Sequence, residues 1–325
     1  MSVLDRYTAA LLPRYHNYPQ GRYVTLLLVR RVESEAIFRT EGSGEPLSKE
    51  FVHAGLAENS PVIPRVVISK RKQTAVERRT GRELLRRHGL LRDTRDGICA
   101  LNRNNPCGAC IDCMLYGYAA GGGGAQKSRV ITDDAFSLQS AAVETAVKTF
   151  NALFDNSTMR DPETGRPSTS IGEDEYVRPE TMFMDIETLK DVTPGEMRYV
   201  LGNILRSTRY GAISSRIGKV KNVLAGVVFS DTELFSNLEL TQAVYDELRA
   251  DKQEPDFPLS EGVVVRAART ATERLLPRVV GQVRALSGDE VGELVSETAA
   301  LYGDDEAVAA LLTETMRAYP QASQT

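Results

Sequence analysis

A chain of 325 residues with 42% hydrophobic content can bury a substantial core, and its length suits one large domain or two smaller ones. With 40 Lys+Arg against 44 Asp+Glu the net charge is −4, which excludes a generally basic nucleic-acid coat; any anion site must arise from local clustering. The start, with Asp5 and Arg6, lacks the apolar core of a signal peptide, and the apolar run Val24–Val29 is too short to span a bilayer, so a soluble, cytoplasmic protein with no membrane partner is expected.

Residues 1–20, interrupted by Pro13 and Pro19, are expected to lie over the surface. Arg22 to Glu33 (RYVTLLLVRRVE) predicts a long central strand, with Ser34 to Thr40 as its continuation, and Glu41 to Pro46 a turn. Val62 to Ser69 predicts a second strand in which Pro64 is tolerated at an edge or bulge. Gln73 to His88 predicts a helix with Val76, Leu84 and Leu85 in the core, inside a stretch rich in Lys and Arg that starts with Lys70-Arg71-Lys72.

Residues 93–127 differ in kind. They hold all four cysteines, Cys99, Cys107, Cys110 and Cys113, spaced C-x7-C-x2-C-x2-C, ahead of the run Gly121–Gly124. Apolar residues there are too sparse to pack a core, and a Cys-bound metal would supply the missing stabilisation. The C-x2-C bite fits structural zinc and also an iron–sulfur site, whereas disulfides do not suit a cytoplasmic protein. A closed four-thiolate shell predicts a structural role.

Ser128 to Thr132 predicts a strand. Leu138 to Phe154, the polar tip Asn156 to Glu175 and the strand-like Tyr176 to Leu189 together predict a long protrusion over 138–190. Thr193-Pro194-Gly195-Glu196 reads as an N-cap with Pro at the first helical position. Met197, Val200, Leu201, Ile204 and Leu205 form the apolar face of the helix that follows. From Met197 to Ser230 there are six bases and no acid, and the polar connector Ser207 to Asn222 suits a phosphate backbone, with Gly211 and Gly218 allowing close approach to a ligand. Val223 to Phe229 predicts a strand, Ser236 to Ala250 a capped helix, and 262–325 a C-terminal helical segment, acidic from Ala285 to Met316. Interleaved strands and helices predict an α+β fold around one sheet. The Gly-rich stretches match neither a P-loop nor a dinucleotide fingerprint, and hydrolase, zinc-protease and kinase signatures are absent.

Four features in this order resemble a known family: Gly21-Arg22-Tyr23-Val24; Val67-Ile68-Ser69-Lys70-Arg71-Lys72; the cysteine insert; and the stretch Arg209 to Val220 with Phe235 to Thr241 after it. The chain is similar to the Cas-seven-type backbone subunits, within the RAMP superfamily, of type I-D CRISPR surveillance (Cascade) complexes. The resemblance implies a modified RNA-recognition-motif-like (ferredoxin-like) palm spanning 1–325, with a zinc-binding insert at 93–127 and a thumb-like hairpin at 138–190. It implies a non-catalytic scaffold that holds CRISPR RNA by its backbone in antiviral defence, while guide bases pair with target DNA or RNA. Its partners would be copies of itself in a helical filament and other effector-complex subunits. Lys70, Arg71, Lys72, Arg209, Arg216, Lys219 and Lys221 would contact RNA; Cys99, Cys107, Cys110 and Cys113 would hold structural Zn2+. Both basic clusters, each at a strand–helix junction, are expected in one groove. Two alternatives stand beside this reading. One is a subunit of the same type that cleaves target single-stranded RNA with a loop carboxylate; no Asp occurs in 34–92, leaving Glu41, Glu45 and Glu50, with Asp133 and Asp134 further on. The other is a stand-alone zinc-containing nucleic-acid binder.

Overall fold

The computed structural model describes residues 2–38, 47–94, 96–101, 103–121, 124–211, 217–249 and 256–319. After a 3-10 helix, Val3–Ala10, come strands β1 (Tyr23–Val32), β2 (Ser48–His53) and β3 (Val62–Ile68) and helix α1 (Lys70–Arg87). The cysteine insert holds two short strand pairs, β4 (Asp93–Thr94) with β5 (Gly97–Ile98) and β6 (Tyr118–Ala120) with β7 (Gly124–Gln126), around helix α2 (Ile111–Tyr116). β8 (Val130–Thr132) and β9 (Ala135–Ser137) follow, then one helical turn, α3 (Ala141–Glu144), and the hairpin β10 (Thr145–Asn151) and β11 (Ile171–Val177). The rest is β12 (Met182–Lys190), α4 (Pro194–Arg206), β13 (Val220–Ser230), α5 (Asn237–Leu248), α6 (Glu261–Leu275), β14 (Val283–Ala285), α7 (Gly288–Tyr302) and α8 (Asp305–Arg317).

One antiparallel sheet, in the order β14-β13-β1-β12-β9-β3-β2 with β8 also on β12, organises the described residues. β1 is central, and its TLLLV run is continuously buried because helices cover both faces. Val24, Leu26 and Leu28 pack under α1, α4, α7 and α8, whereas Leu27 and Val29 pack under α5 and α6. Each such fully buried side chain is worth about 1.5–3 kcal/mol of transfer free energy. A bulge against β13, between Leu27 and Leu28, keeps Leu224 and Val227 on the same face as Leu26 and Leu28. α4 starts where its sequence says: Thr193 accepts from the Glu196 N–H at 3.2 Å, and Glu196 accepts from the Thr193 N–H at 2.8 Å, a complete capping box with Pro194 beside it.

The differences from expectation are local. β1 ends at Val32; beyond it only Ala36 bridges, to Val177, and 39–46 lie outside the described residues. β2 had no legible signal. Its pattern is half exposed, because among the described residues it is the sheet edge and pairs only with β3. Pro64 sits opposite Phe51 in that pair, where β3 has no second neighbour, since only Val67 and Ile68 reach β9. α1 begins at Lys70 rather than Gln73, so the Lys70-Arg71-Lys72 run is the first helical turn. Within 138–190 only the β10–β11 hairpin stands apart from the sheet, as a two-stranded sheet of its own; Met182–Lys190 returns to the centre of the main sheet beside β1. No described helix is long and apolar enough to cross a membrane.

Glu144 sits at the root of that hairpin. It is fully buried, accepts the Gln139 N–H at 3.1 Å, and leaves its second oxygen without a hydrogen bond. Burial pushes its carboxyl up to about 8. The native state therefore holds a proton that the unfolded chain releases, and stability from this site falls as pH rises from about 4.5 to about 8. Glu144→Gln is expected to flatten that fall and to stabilise the protein at pH 8 by roughly 2–4 kcal/mol. Denaturant unfolding at pH 5 and pH 8 checks this; parallel pH dependences in the two proteins would refute it.

Candidate metal centre and nucleic-acid interface

The insert draws the four cysteines together. Cys110 caps α2 and Cys113 lies within it, while Cys99 and Cys107 approach from the preceding loop. All four sulfurs lie within 4.8 Å of one another, with Cys99 to Cys113 at 3.7 Å and Cys107 to Cys113 at 4.0 Å. Sulfurs on a tetrahedron with bonds of about 2.3 Å stand about 3.8 Å apart, so the set fits one ion. Clusters of two or four irons spread their cysteines over several metal atoms and need a wider set. Backbone N–H groups of Cys107 and Cys110 each point at the sulfur of the preceding ligand, Cys99 and Cys107, at 3.3 Å. Hydrogen bonds within the group hold Cys99 far below the ordinary thiol range and Cys107 at about 7, and push Cys110 and Cys113 up. A crowded thiol set of this kind cannot ionise together without a cation between the sulfurs.

Beside the insert lies a cleft of about 620 Å³, walled by the outer face of α1 with Arg71, Lys72, Arg78 and Arg79, and by Tyr210 and Gly211. A buried cluster sets its floor. Arg30, on β1, has no exposed surface; its Nε donates to Asp185 at 2.7 Å, Nη1 to Asn222 at 2.7 Å and Tyr210 Oη at 2.9 Å, and Nη2 to Glu187 at 2.8 Å, Glu77 at 3.0 Å and Gln73 at 3.2 Å. Burial opposes its charge, but Tyr210, Asp185, Glu77 and Glu187 outweigh that, so its pKa rises. Burial, with repulsion between the carboxyls, raises Glu77 and takes Glu187 well above the usual range. Tyr210 is itself buried, its hydroxyl tied to Arg30, Glu77 and Asn222, so the chain after α4 is held against α1.

The predicted contact residues divide. Arg71 and Lys72 line the cleft; Arg209 is exposed next to Tyr210; Lys70 is exposed on the first turn, its N–H bound by Asp134 at 2.8 Å. Lys219 and Lys221 do not join them. Lys221 pairs with Glu261 of α6 at 2.8 Å, and Lys219 with Glu33 at 2.8 Å. Lys221 stands opposite Arg31 in the β1–β13 register, and Arg31 reaches Glu261, whereas its neighbour Arg30 reaches Glu77 of α1. Adjacent strand residues face opposite sides of a sheet, so the two clusters lie on opposite faces. The single groove expected for them is not what the fold builds. Arg216, Glu41 and Glu45 lie outside the described residues.

Gly211 and Gly218 also serve a different end. A Cβ at Gly211 would come within 2.7 Å of the Ile37 carbonyl, and one at Gly218, where φ is +71°, within 2.5 Å of the Glu35 carbonyl. Their close approach is to the chain's own residues 35–37. Arg30 is the residue missed by sequence reading. Its signal was there: a charge at a position whose same-face neighbours along the strand, Leu28 and Val32, are both apolar.

A family model, that of the Csc2 CRISPR proteins, matches residues 10–312. Among solved structures, the crystal structure of Csc2 from Thermofilum pendens matches with a TM-score of 0.61 at 18% identity, over 97% of this chain and 96% of that one, a likeness of fold. A chain of a CRISPR RNA-guided surveillance complex, captured before nicking, matches at 10% identity with a TM-score of 0.48, over 90% of this chain and 99% of that one. No curated protein matches the sequence.

Four sulfurs around one ion predict about one metal ion per chain in the purified protein and none in Cys110→Ser. Elemental analysis decides; full metal content in the variant would remove Cys110 from the ligand set.

Proposed function

The chain belongs to the Csc2 family of CRISPR proteins, and from that membership we propose that it is the repeated backbone subunit of a type I-D effector complex, gripping CRISPR RNA by its phosphates. The observation that carries the reading is the cleft: Arg71, Lys72 and Arg79 of α1, with Arg78 beside them paired to Asp112, face Tyr210 and Gly211 across about 620 Å³. Guanidinium and ammonium groups suit phosphate oxygens, by fork and by point charge. Among the described residues the one aromatic on the cleft wall, Tyr210, is buried with its hydroxyl engaged, so it offers no platform for stacking bases. A site built this way holds a backbone and leaves bases free to pair with target DNA or RNA.

The elements β1, α1, β9, β12, α4 and β13 follow the β-α-β-β-α-β sequence of a ferredoxin-like palm, and the spatial order β13-β1-β12-β9 agrees with it. The β10–β11 hairpin is the thumb of this reading, and copies of the chain along one RNA, with other effector subunits, are its partners. The metal is structural zinc: four thiolates at tetrahedral spacing close the shell and leave no position for a reacting water. A scaffold without catalysis fits this arrangement. Asp134, a carboxylate next to the basic turn, is occupied in capping α1. Lys219 and Lys221 form a secondary contact line on the far face, weakened by their pairing with Glu33 and Glu261.

Each phosphate contact is worth about 0.7 in the slope of log affinity against log salt for single strands. Arg71→Ala/Lys72→Ala is expected to lower that slope by about 1.4, and to weaken binding equally for unrelated RNA sequences. Lys219→Ala/Lys221→Ala is expected to change it less. Titrations of single-stranded RNA at several salt concentrations check this, and an unchanged slope in the Arg71/Lys72 variant would remove the cleft as the RNA site. Elemental analysis should find zinc; iron would overturn the metal assignment.

A further inference from the structure

The metal knuckle and the cleft share a side chain. Arg78 lines the cleft, yet its Nε and Nη2 donate to the two oxygens of Asp112 at 2.9 and 2.8 Å, and Nη2 donates to the Gly117 carbonyl at 3.1 Å. Asp112 is fully buried on α2, between Cys110 and Cys113. Its Oδ2 also accepts from Arg82 Nη1 at 2.8 Å; the same nitrogen lies 3.6 Å from the Cys99 sulfur, and Arg82 Nη2 donates to the Cys99 carbonyl at 2.6 Å. A second strand of contact runs through Leu101, which lines the cleft between two ligands, Cys99 and Cys107. An ion that clamps Cys99 to Cys113 therefore fixes Leu101 and, through Arg82 and Asp112, the direction of Arg78. A buried carboxylate that receives two guanidiniums has few other arrangements open to it, because an unpaired buried charge is strongly disfavoured.

We infer that the metal ion and single-stranded RNA bind this protein cooperatively, with Asp112 as the positioning residue between the two sites. The inference rests on reading the cleft as the RNA site. Coupling of this kind is reciprocal: if the ion strengthens RNA binding by some factor, RNA strengthens retention of the ion by the same factor. An outer-shell partner is typically worth 10- to 100-fold, so about tenfold is expected here.

The test compares affinity for a single-stranded RNA homopolymer before and after the ion is removed by a chelator. The comparison covers the full chain, Asp112→Asn and Arg71→Ala/Lys72→Ala. The unaltered protein should bind about tenfold more weakly without the ion. The ratio should fall towards one in Asp112→Asn, whichever way its absolute affinity moves, and stay near tenfold in Arg71→Ala/Lys72→Ala, which binds more weakly throughout. A ratio of one in the unaltered protein overturns the coupling while leaving the RNA site standing. A tenfold ratio that persists in Asp112→Asn overturns the role of Asp112. If neither form binds RNA, the cleft reading falls, and this inference with it. Where the metal-free protein or the variant does not stay folded, the rate at which the loaded, unaltered protein gives up its ion to a chromogenic chelator decides. RNA at saturation should slow that rate about tenfold, and an unchanged rate refutes the coupling.

Discussion

One guanidinium with no exposed surface governs this structure. Arg30 points out of the central strand into a space closed by Asp185 and Glu187 of β12, Gln73 and Glu77 of α1, Asn222 of β13 and Tyr210 of the chain after α4. Breaking such a buried set by removing one partner costs about 3–5 kcal/mol, because the others are left uncompensated. Apolar packing alone would let α1 slide along the sheet. A charge with six acceptors sharing its five N–H groups fixes where α1 lies and how the chain after α4 returns. Three carboxyls around one cation balance only if protons are retained, in keeping with the raised Glu77 and Glu187.

The cleft follows from that constraint. α1 presents its buried side, Gln73 and Glu77, to Arg30, and so turns Arg71, Lys72 and Arg79 to the cleft and Arg78 to Asp112 at its edge. Tyr210 is drawn down to Arg30 and sets the opposite wall. The insert is fastened to the same helix one turn further on, by Arg78 and Arg82 to Asp112. One helix thus serves three masters: the sheet through Glu77, the cysteine insert through Arg78 and Arg82, and the cleft through Arg71 and Lys72.

Much of this was legible in the residues. Arg22 to Glu33 read as a long central strand, and Thr193-Pro194-Gly195-Glu196 named its own helix start. The cysteine spacing announced that the four sulfurs would gather, because the bite of closely spaced cysteines is a local property that needs no knowledge of the fold. β2 was not legible, since an edge strand with one covered face carries little apolar pattern. The shared groove for Lys70–Lys72 and Lys219–Lys221 failed for a related reason. Which face of the sheet a side chain meets depends on register, and a one-residue step separates Arg30, under α1, from Arg31, beside α6. Gly211 and Gly218 looked like a ligand loop; Gly211 does line the cleft, but the two glycines also lie against the carbonyls of Ile37 and Glu35, contacts between distant segments that spacing alone does not reveal.

The central claim is that this cleft holds the RNA backbone. Ultraviolet cross-linking of the full-length protein to photoreactive single-stranded RNA, with the linked peptides identified by mass spectrometry, tests it most directly. The account predicts cross-links concentrated on the α1 face from Arg71 to Arg79 and on residues 209–211 across the cleft. Cross-links confined to the opposite face of the sheet, around Lys221 and α6, with none on α1, would contradict it.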